Sequence, residues 1–240
     1  MLSLVLAESA LELVPEEIRR SPAVASDSKR RGVPASEILL DRSFHHTAML
    51  RLKEAEKRGR PDLVHVALLS VTGSPLYQEG GVRVFVHTYC DVVVEIEAKT
   101  RIPKNFIRFR GLMEKALREE PEGGLVKVYP ADIRELVRKV IASDRVVGLS
   151  VQGHPTSYDG VARELASARS PCLVVGGFPH GHFSERTLGL LDELARIDLR
   201  PLEAHVVVAR IVYEVERERS RSPAAGRNLS HESVKVESQR

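Results

Sequence analysis

Short, nearly continuous apolar runs alternate with helix-like segments through the second half of the chain, and this alternation limits what the chain can fold into. One such run, Cys172 to Val175, is followed by Gly176, Gly177 and Gly181 and then by an amphipathic segment from about Ser184. Strands that are apolar on both faces and alternate with helices are typical of a parallel sheet covered by helices on each side. The pattern therefore predicts an α/β fold of this kind.

Two turns that follow neighbouring strands could together form a small-molecule site. The turn after Val175 contains glycines, which let the backbone approach a ligand at the carboxyl edge of a parallel sheet. A second short strand is predicted for Arg196 to Leu199, and a helix led by Pro201 follows it from Leu202. The same residues also suit two ordinary strand-to-helix connections, so both interpretations stay open at this point.

The length of the chain, 240 residues, allows one large α/β domain or one domain with an insertion. The longest apolar runs have the length of strands, which predicts no membrane span, and the N-terminus lacks the basic region of a signal peptide. Cys90 and Cys172, both in strand-like segments, suit a reducing compartment without disulfides. We therefore expect a cytoplasmic protein.

The formal net charge of +3 comes from the C-terminal tail. Residues 217–240 hold six basic and three acidic residues, whereas residues 1–216 hold 30 of each. A surface that binds nucleic acid must therefore be a local patch. The tail is Ser-rich and poor in large apolar residues, so we predict one domain over residues 1–216 and a disordered polar tail over 217–240.

Periodicity predicts the remaining elements. The predicted strands are residues 2–7, 37–40, 63–71, 82–87, 92–97, 125–128 and 145–151. The predicted helical segments are residues 16–20, 23–31, 43–58, 103–118, 131–142 and 157–168. Residues 82–87 and 92–97 alternate apolar and polar side chains and are joined by a short loop, which indicates an antiparallel pair. Because this pair interrupts the alternation of strands and helices, we interpret it as a small β insertion at about residues 80–100.

A basic segment lies between Glu97 and Glu114. It contains five cations and no acidic residue, namely Lys99, Arg101, Lys104, Arg108 and Arg110. With Pro103 at the first helical position, Lys104 and Arg108 would face away from the apolar side of the helix. That side would carry Ile102, Phe106, Phe109 and Met113. Such a row of cations matches the phosphates of a nucleic acid, although a solvated charged face has the same composition.

The motif RGRPD, residues 58–62, supplies a second cation. Arg60 and Asp62 flank Pro61, which restricts the backbone between them. A carboxylate two residues away can hold the guanidinium by charge-assisted hydrogen bonds and so direct it. The alternative is a helix end with a local ion pair, worth at most ~1 kcal/mol if exposed.

Taken together, these motifs resemble a known family. LLDRSFHHTAM, RGRPDLVHVALL, GSPL, VFVHT and RIPKNFIRFRGLMEKAL, with the two C-terminal turns, occur in the order seen in the ribosome-biogenesis (Nep-type) pseudouridine methyltransferases of the SPOUT superfamily. The resemblance covers about residues 2–216. It implies an α/β trefoil knot, a homodimer, and methyl transfer from S-adenosylmethionine to N1 of a pseudouridine in small-subunit rRNA. It also implies a role in assembly of the small ribosomal subunit, with other assembly factors as further candidate partners.

The resemblance also implies roles for particular residues. Four cations would contact rRNA, namely Arg60, Arg101, Lys104 and Arg108. Asp62 would orient Arg60, and Arg60 could stabilise the anion that develops on the uracil carbonyls. The methyl donor would lie against Leu149, Gly176, Gly181, His182, Phe183, Ile197, Asp198, Leu199, Arg200, Pro201 and Leu202. The chain departs from the family at Lys104, where Arg is usual, at GGF in place of GAM, and at LRPLEA in place of an NYPLSA-like run.

Two further interpretations of the motifs stay open. A ribosome-assembly protein that binds rRNA but needs no methyl transfer would also keep the basic surface. A nucleotide-dependent oxidoreductase is the weaker interpretation, because no G-x-G-x-x-G follows the first strand. We expect no metal site, since the pairs His45–His46 and His180–His182 lack accompanying ligands, and we expect Glu203 to be a structural residue at a helix start.

Overall fold

The computed structural model describes residues 1–118 and 124–221, and its centre is a seven-stranded sheet with the order β4-β3-β2-β1-β6-β5-β7. The strands are β1 (Leu2–Ser9), β2 (Val82–Thr88), β3 (Val92–Ile96), β4 (Val126–Pro130), β5 (Arg145–Pro155), β6 (Pro171–Gly176) and β7 (Glu193–Arg196). Five of them, β2, β1, β6, β5 and β7, pair in parallel. β3 and β4 add an antiparallel edge. The α/β sheet predicted from the alternation is confirmed.

Nine helices surround the sheet within the described residues. They are α1 (Pro22–Arg31), α2 (Arg42–Met49), α3 (Pro61–Thr72), α4 (Pro75–Gln78), α5 (Phe106–Arg118), α6 (Ile133–Glu135), α7 (Tyr158–Ser167), α8 (Glu185–Leu188) and α9 (Ala204–Arg221). Short 3-10 turns occur at Glu16–Ile18, Ala35–Glu37 and Ala55–Lys57, and a π-helical turn, Leu136–Val140, continues α6. No helix in the described parts of the chain is both long and apolar enough to cross a membrane.

Each face of the sheet has its own core because successive strand residues point in opposite directions. One core joins Leu4 and Leu6 of β1 to α3, α5, α7 and α9. The other joins Val5 and Ala7 of β1 to α6, its π-helical turn and the start of the α8 region. A third, smaller cluster holds α1 and α2 together in the segment between β1 and α3. All eight residues of β1 are buried, as expected for a central strand covered on both sides.

The largest error of the sequence prediction concerns residues 63–71, which form helix α3 and not a strand. Pro61 occupies the first turn of this helix, where its missing N–H costs nothing. α3 packs between α5 and α9, so apolar side chains cover most of its circumference and Val64, Ala67 and Leu68 are fully buried. A helix buried on several sides has a continuous apolar run, which periodicity cannot distinguish from a buried strand.

The predicted β insertion is also wrong, although the predicted antiparallel pairing of β2 and β3 is confirmed. β2 pairs in parallel with β1, with Val5 opposite Phe85, so β2 belongs to the sheet itself. Only β3 and β4 depart from the parallel arrangement. Local alternation indicates a hairpin but carries no information about a partner strand 80 residues earlier in the chain.

Several boundaries differ from the predicted ones in the first half of the chain. Residues 37–40 form a bridge of Leu39 to Leu13 after a 3-10 turn, not a strand. α2 ends at Met49, because the chain turns and Glu54 adopts a left-handed conformation with φ of 49°. α5 begins at Phe106, so Pro103 lies before the helix and is not its first residue.

Boundaries near the C-terminus shift as well. β7 ends at Arg196, so most of the predicted strand 196–199 is a loop. α8 is a single turn, and α9 begins at Ala204 and runs to Arg221. The helix therefore includes the first five residues of the predicted tail, and residues 222–240 lie outside the described residues.

Candidate functional site

A cavity of about 300 Å³ opens at the carboxyl edge of the parallel strands. Residues 149–151 in the middle of β5, the end of β6 and the loop after β7 meet there. Its lining includes all but one of the predicted donor-binding residues, namely Leu149, Gly176, Gly181, His182, Phe183, Ile197, Asp198, Arg200, Pro201 and Leu202. The exception is Leu199, which is 80% exposed and does not line the cavity. The two turns recognised in the sequence thus face each other across one cavity.

The first wall is the turn of residues 177–184, which we call the glycine turn. Two backbone hydrogen bonds fix its start to β1 and to the residue after β1. Gly177 N–H donates to the Ala7 carbonyl at 2.8 Å, and Ala10 N–H donates to the Gly177 carbonyl at 2.9 Å. A Cβ on Gly177 would lie 2.0 Å from Oγ of Ser9, so a larger residue does not fit. Gly181 has a φ of 98°, a backbone conformation that residues other than glycine rarely adopt.

The second wall is the loop from Ile197 to Leu202. Within it Arg200 donates to Asp198 from its backbone N–H at 2.9 Å and from its guanidinium at 3.0 Å. These hydrogen bonds lower the pKa of Asp198 to about 2, so the carboxylate is ionised at neutral pH. The backbone of Arg196 accepts a hydrogen bond from Thr156 N–H at 2.9 Å, which fixes this loop to the end of β5. Arg200 of the LRPLEA run is therefore held by an ion pair with the residue that precedes the run.

Arg60 and Asp62 lie at the start of α3, beside the cavity. Two parallel hydrogen bonds of 2.8 Å join Nε and Nη2 of Arg60 to the Asp62 carboxylate, and Leu63, the next residue, lines the cavity. Burial favours a higher pKa for Asp62, but the hydrogen bonds and charge of Arg60 outweigh it and lower the pKa. The hydrogen bonds to Asp62 raise the pKa of Arg60, and the charge of Glu203 adds to this effect. The predicted ion pair is present, and it is half-buried with side-chain exposures of 37% and 49%.

The basic segment lies alongside α3. His65 of α3 donates from Nε2 to the carbonyl of Pro103 at 2.7 Å, and its ring stacks on Phe109 with centroids 4.3 Å apart. Arg101, Lys104 and Arg108 are exposed and have no carboxylate partner among the described residues. Arg60 therefore lies at the start of α3, and His65 joins α3 to the segment that contains the other three cations.

One detail of the predicted cation row is wrong. Lys104 precedes α5, so it does not share a helical face with Arg108. Instead Asn105 accepts a hydrogen bond from the Arg108 N–H at 3.2 Å and starts the helix. The apolar side is as predicted, since Phe109 and Met113 are fully buried.

Some residues of the site escaped the sequence prediction. His65 gave no signal, because its contact with Pro103 depends on the packing of α3 against α5. Glu203, predicted to be structural, lines the cavity and affects the pKa of Arg60. Phe178 and Pro179 also line the cavity, and only their position within the glycine turn could have suggested this.

The histidine pairs separate into two kinds. His45 is fully buried, accepts a hydrogen bond at Nδ1 from Asp41 N–H at 3.1 Å, and has its pKa lowered by burial. His46 is exposed. His180 and His182 both line the cavity. The described residues contain no group of three or more His, Cys, Asp or Glu side chains placed to hold a metal ion.

A family model, related proteins and a solved structure all match this chain over most of its length. Residues 4–216 match the family model described as EMG1/NEP1 methyltransferase. The ribosomal RNA small subunit methyltransferase Nep1 of Thermococcus onnurineus is 41% identical, with 90% of this chain and 98% of that protein covered. The Nep1 of Staphylothermus marinus is 36% identical, with 90% and 95% covered. The crystal structure of Archaeoglobus fulgidus Nep1 bound to S-adenosylhomocysteine matches with a TM-score of 0.80 and 35% identity, covering 91% of this chain and 98% of that chain.

Proposed function

The chain belongs to the EMG1/NEP1 methyltransferase family, and from this premise we propose that it transfers the methyl group of S-adenosylmethionine to N1 of a pseudouridine in small-subunit rRNA. The observation that carries the proposal is the meeting of both turns at one cavity with Arg60 beside it. The proposal includes a C-terminal trefoil knot, a homodimer, and a role in assembling the small ribosomal subunit.

The cavity suits the methyl donor in size and chemistry. Its volume of about 300 Å³ lies at the lower end of the range of small-molecule sites. Leu149, Phe183 and Leu202 offer apolar contacts, while the backbone of the two walls offers hydrogen bonds. The related Archaeoglobus fulgidus protein was crystallised with S-adenosylhomocysteine, which is the product that a methyl donor of this kind leaves.

The cations supply the grip on RNA. Arg101, Lys104 and Arg108 would neutralise phosphates, and the planar fork of an Arg can also bind a base edge. Lys104 has a compact ammonium group without the planar fork of an Arg, so we assign Lys104 to phosphate contact only. Because His65 fixes this segment to α3, the RNA would be held on the side of α3 that leads to Arg60 and the cavity.

The reaction needs little general acid–base catalysis from the chain. The donor brings an electrophilic methyl group, so the chain must align N1 of the base with it, and proximity supplies much of the rate. N1 gives its proton to water, and the negative charge this leaves is delocalised onto the uracil carbonyls. N1 then attacks the methyl carbon, so that the N1–C bond forms while the C–S bond breaks and S-adenosylhomocysteine leaves. Arg60, held by Asp62, is placed to stabilise that charge, as an oxyanion donor does.

Titration calorimetry tests the donor half of this proposal. We expect S-adenosylmethionine and S-adenosylhomocysteine each to bind the purified chain with one site per protomer. A chain that binds an rRNA hairpin but shows no heat with either compound would contradict methyl transfer. That result would favour the assembly protein without catalysis.

A further inference from the structure

Glu8, next to last in β1, places a buried carboxylate under the glycine turn. Its Oε1 accepts three hydrogen bonds, from the Ser184 N–H at 2.8 Å and from the hydroxyls of Ser184 and Thr187 at 2.7 Å each. Its Oε2 accepts one from Nζ of Lys57 at 2.9 Å. The carboxylate therefore fastens the far end of the glycine turn, and the start of α8, to the end of the central strand.

Lys57 reaches the middle of the same turn. Its side chain is buried, and a Cβ on Gly181 would lie 3.2 Å from its Cε. Its ammonium lies 5.1 Å from the centroid of the Phe178 ring, a cation–π contact. Gly181 and Phe178 both line the cavity, whereas Glu8 and Lys57 do not. The ion pair thus supports the wall from behind.

The backbone of Glu8 has an uncommon conformation that its surroundings hold in place. Glu8 has a φ of 50°, a left-handed conformation that residues other than glycine rarely adopt. The conformation is held by the Glu8 N–H, which donates to Nδ1 of the buried His87 at 3.3 Å. Burial favours a raised pKa for Glu8, but its hydrogen bonds with Thr187, Lys57 and Ser184 outweigh this and lower the pKa, so the carboxylate is ionised at neutral pH. Strained residues that surrounding contacts hold in place are frequent at functional sites.

We propose that Glu8 and Lys57 are positioning residues that hold the glycine turn in its donor-binding shape before the donor arrives. The inference rests on the proposed function for the identity of the ligand. A wall that is already in place loses less conformational entropy on binding, so the ion pair raises donor affinity without touching the donor. Neither residue contacts RNA in this account, so RNA affinity should not depend on them.

The chain offers a matched control in a second buried ion pair. Glu12 accepts two hydrogen bonds from Arg58, at 2.7 and 2.6 Å, and its side chain is as deeply buried as that of Glu8. This pair contacts Tyr89 and Cys90 and no residue of the cavity. Glu12→Gln therefore removes the same charge at the same depth, away from the glycine turn.

The test has two measurements. Calorimetry gives the affinity for the donor, and hydrogen exchange of the protein without donor gives the exchange rates of the backbone amides in residues 177–184. We expect Glu8→Gln and Lys57→Met each to weaken donor binding tenfold or more, and the double variant to bind no more weakly than either single variant. Exchange in the glycine turn should accelerate at least tenfold. Glu12→Gln should change donor affinity and this exchange less than threefold, and Glu8→Gln should bind an rRNA hairpin as the wild type does.

Two results would overturn the inference. One is wild-type donor affinity and exchange in Glu8→Gln; the other is equal losses in Glu8→Gln and Glu12→Gln. If Glu8→Gln does not fold, Thr187→Val, which removes one bond to Glu8 and keeps the side-chain shape, should still weaken donor binding threefold or more, and no change would reject the inference. A wild-type chain that binds no donor would reject the proposed function, and the exchange data would then decide the positioning role alone.

Discussion

At the scale of single residues, the site combines charges that are held in place with backbone that leaves room for a ligand. The pairing of Arg60 with Asp62 follows from their spacing in the sequence and is present with two hydrogen bonds of 2.8 Å. The pairing of Glu8 with Lys57 could not be predicted, because 49 positions separate the two residues. Local motifs show their partners in the sequence, whereas buried networks between distant residues depend on the fold.

Arg60→Ala should impair RNA binding or turnover and leave donor affinity intact. The variant would lose the charge-assisted hydrogen bonds from Arg60 to the RNA. Such a loss costs about 1.5–3 kcal/mol, which lowers RNA affinity or turnover roughly 10- to 150-fold. Hairpin affinity and turnover measured beside donor calorimetry check this. Arg60→Lys keeps the charge without the fork and should recover only part of the loss. An equal fall in donor and RNA affinity would count against the assigned role.

His45 should make stability depend on pH. Burial lowers its pKa in the folded chain below the ordinary value of 6.5, so the unfolded chain binds more protons below that pH. The stabilisation is present above pH 6.5 and is lost as the pH falls through the folded pKa. Urea unfolding at pH 7.5 and 5.5 should show this loss, and His45→Asn, which keeps an acceptor for Asp41, should show less of it. An equal pH dependence in both proteins would contradict the assignment.

At the scale of elements, α3 positions the cations that we propose to bind RNA, and the glycine turn forms one wall of the proposed donor site. α3 was mistaken for a strand because its apolar positions face α5, α9 and the sheet at once, which removes the helical period. The glycine turn was found correctly, since glycines after a buried strand have a direct structural meaning. The end of β7 was not predicted correctly, because only the pairing of β7 with β5 defines where β7 ends.

Two glycines should respond in opposite ways to alanine. At Gly177 a Cβ would lie 2.0 Å from Oγ and 2.9 Å from Cα of Ser9, so Gly177→Ala must displace the glycine turn and weaken donor binding. At Gly111, inside α5, no atom lies within 4 Å of an added Cβ, so Gly111→Ala should stabilise the chain by about 0.5–1 kcal/mol. Thermal unfolding and donor calorimetry on both variants check this pair. Gly177→Ala with wild-type donor affinity would contradict the account of the first wall.

At the scale of the whole molecule, charge is local and not global. Residues 1–216 carry equal numbers of acidic and basic residues, so their net charge cannot attract RNA. The exposed cations of the basic segment, together with Arg60, form the local patch that we propose for RNA binding. This much followed from the sequence, whereas the attachment of the basic segment to α3 by His65 required the packed structure.

The salt dependence of RNA binding should report this patch. If Arg101, Lys104 and Arg108 contact phosphates, the logarithm of the affinity should fall with that of the salt concentration with a slope of about −2 for single-stranded RNA. Arg101→Ala should reduce the magnitude of the slope by about 0.7. Lys139→Ala removes an exposed cation of the π-helical turn and should leave the slope unchanged. Equal effects of the two substitutions would indicate unspecific attraction.

The central claim is methyl transfer to N1 of a pseudouridine, and mass spectrometry of an rRNA hairpin tests it most directly. The hairpin carries one pseudouridine and is incubated with the chain and S-adenosylmethionine, while a matched hairpin carries uridine, whose N1 is bonded to the ribose. The account predicts a gain of one methyl group on the pseudouridine hairpin alone, located at N1 after nucleoside digestion. A methyl group on both hairpins, or on neither, would contradict it.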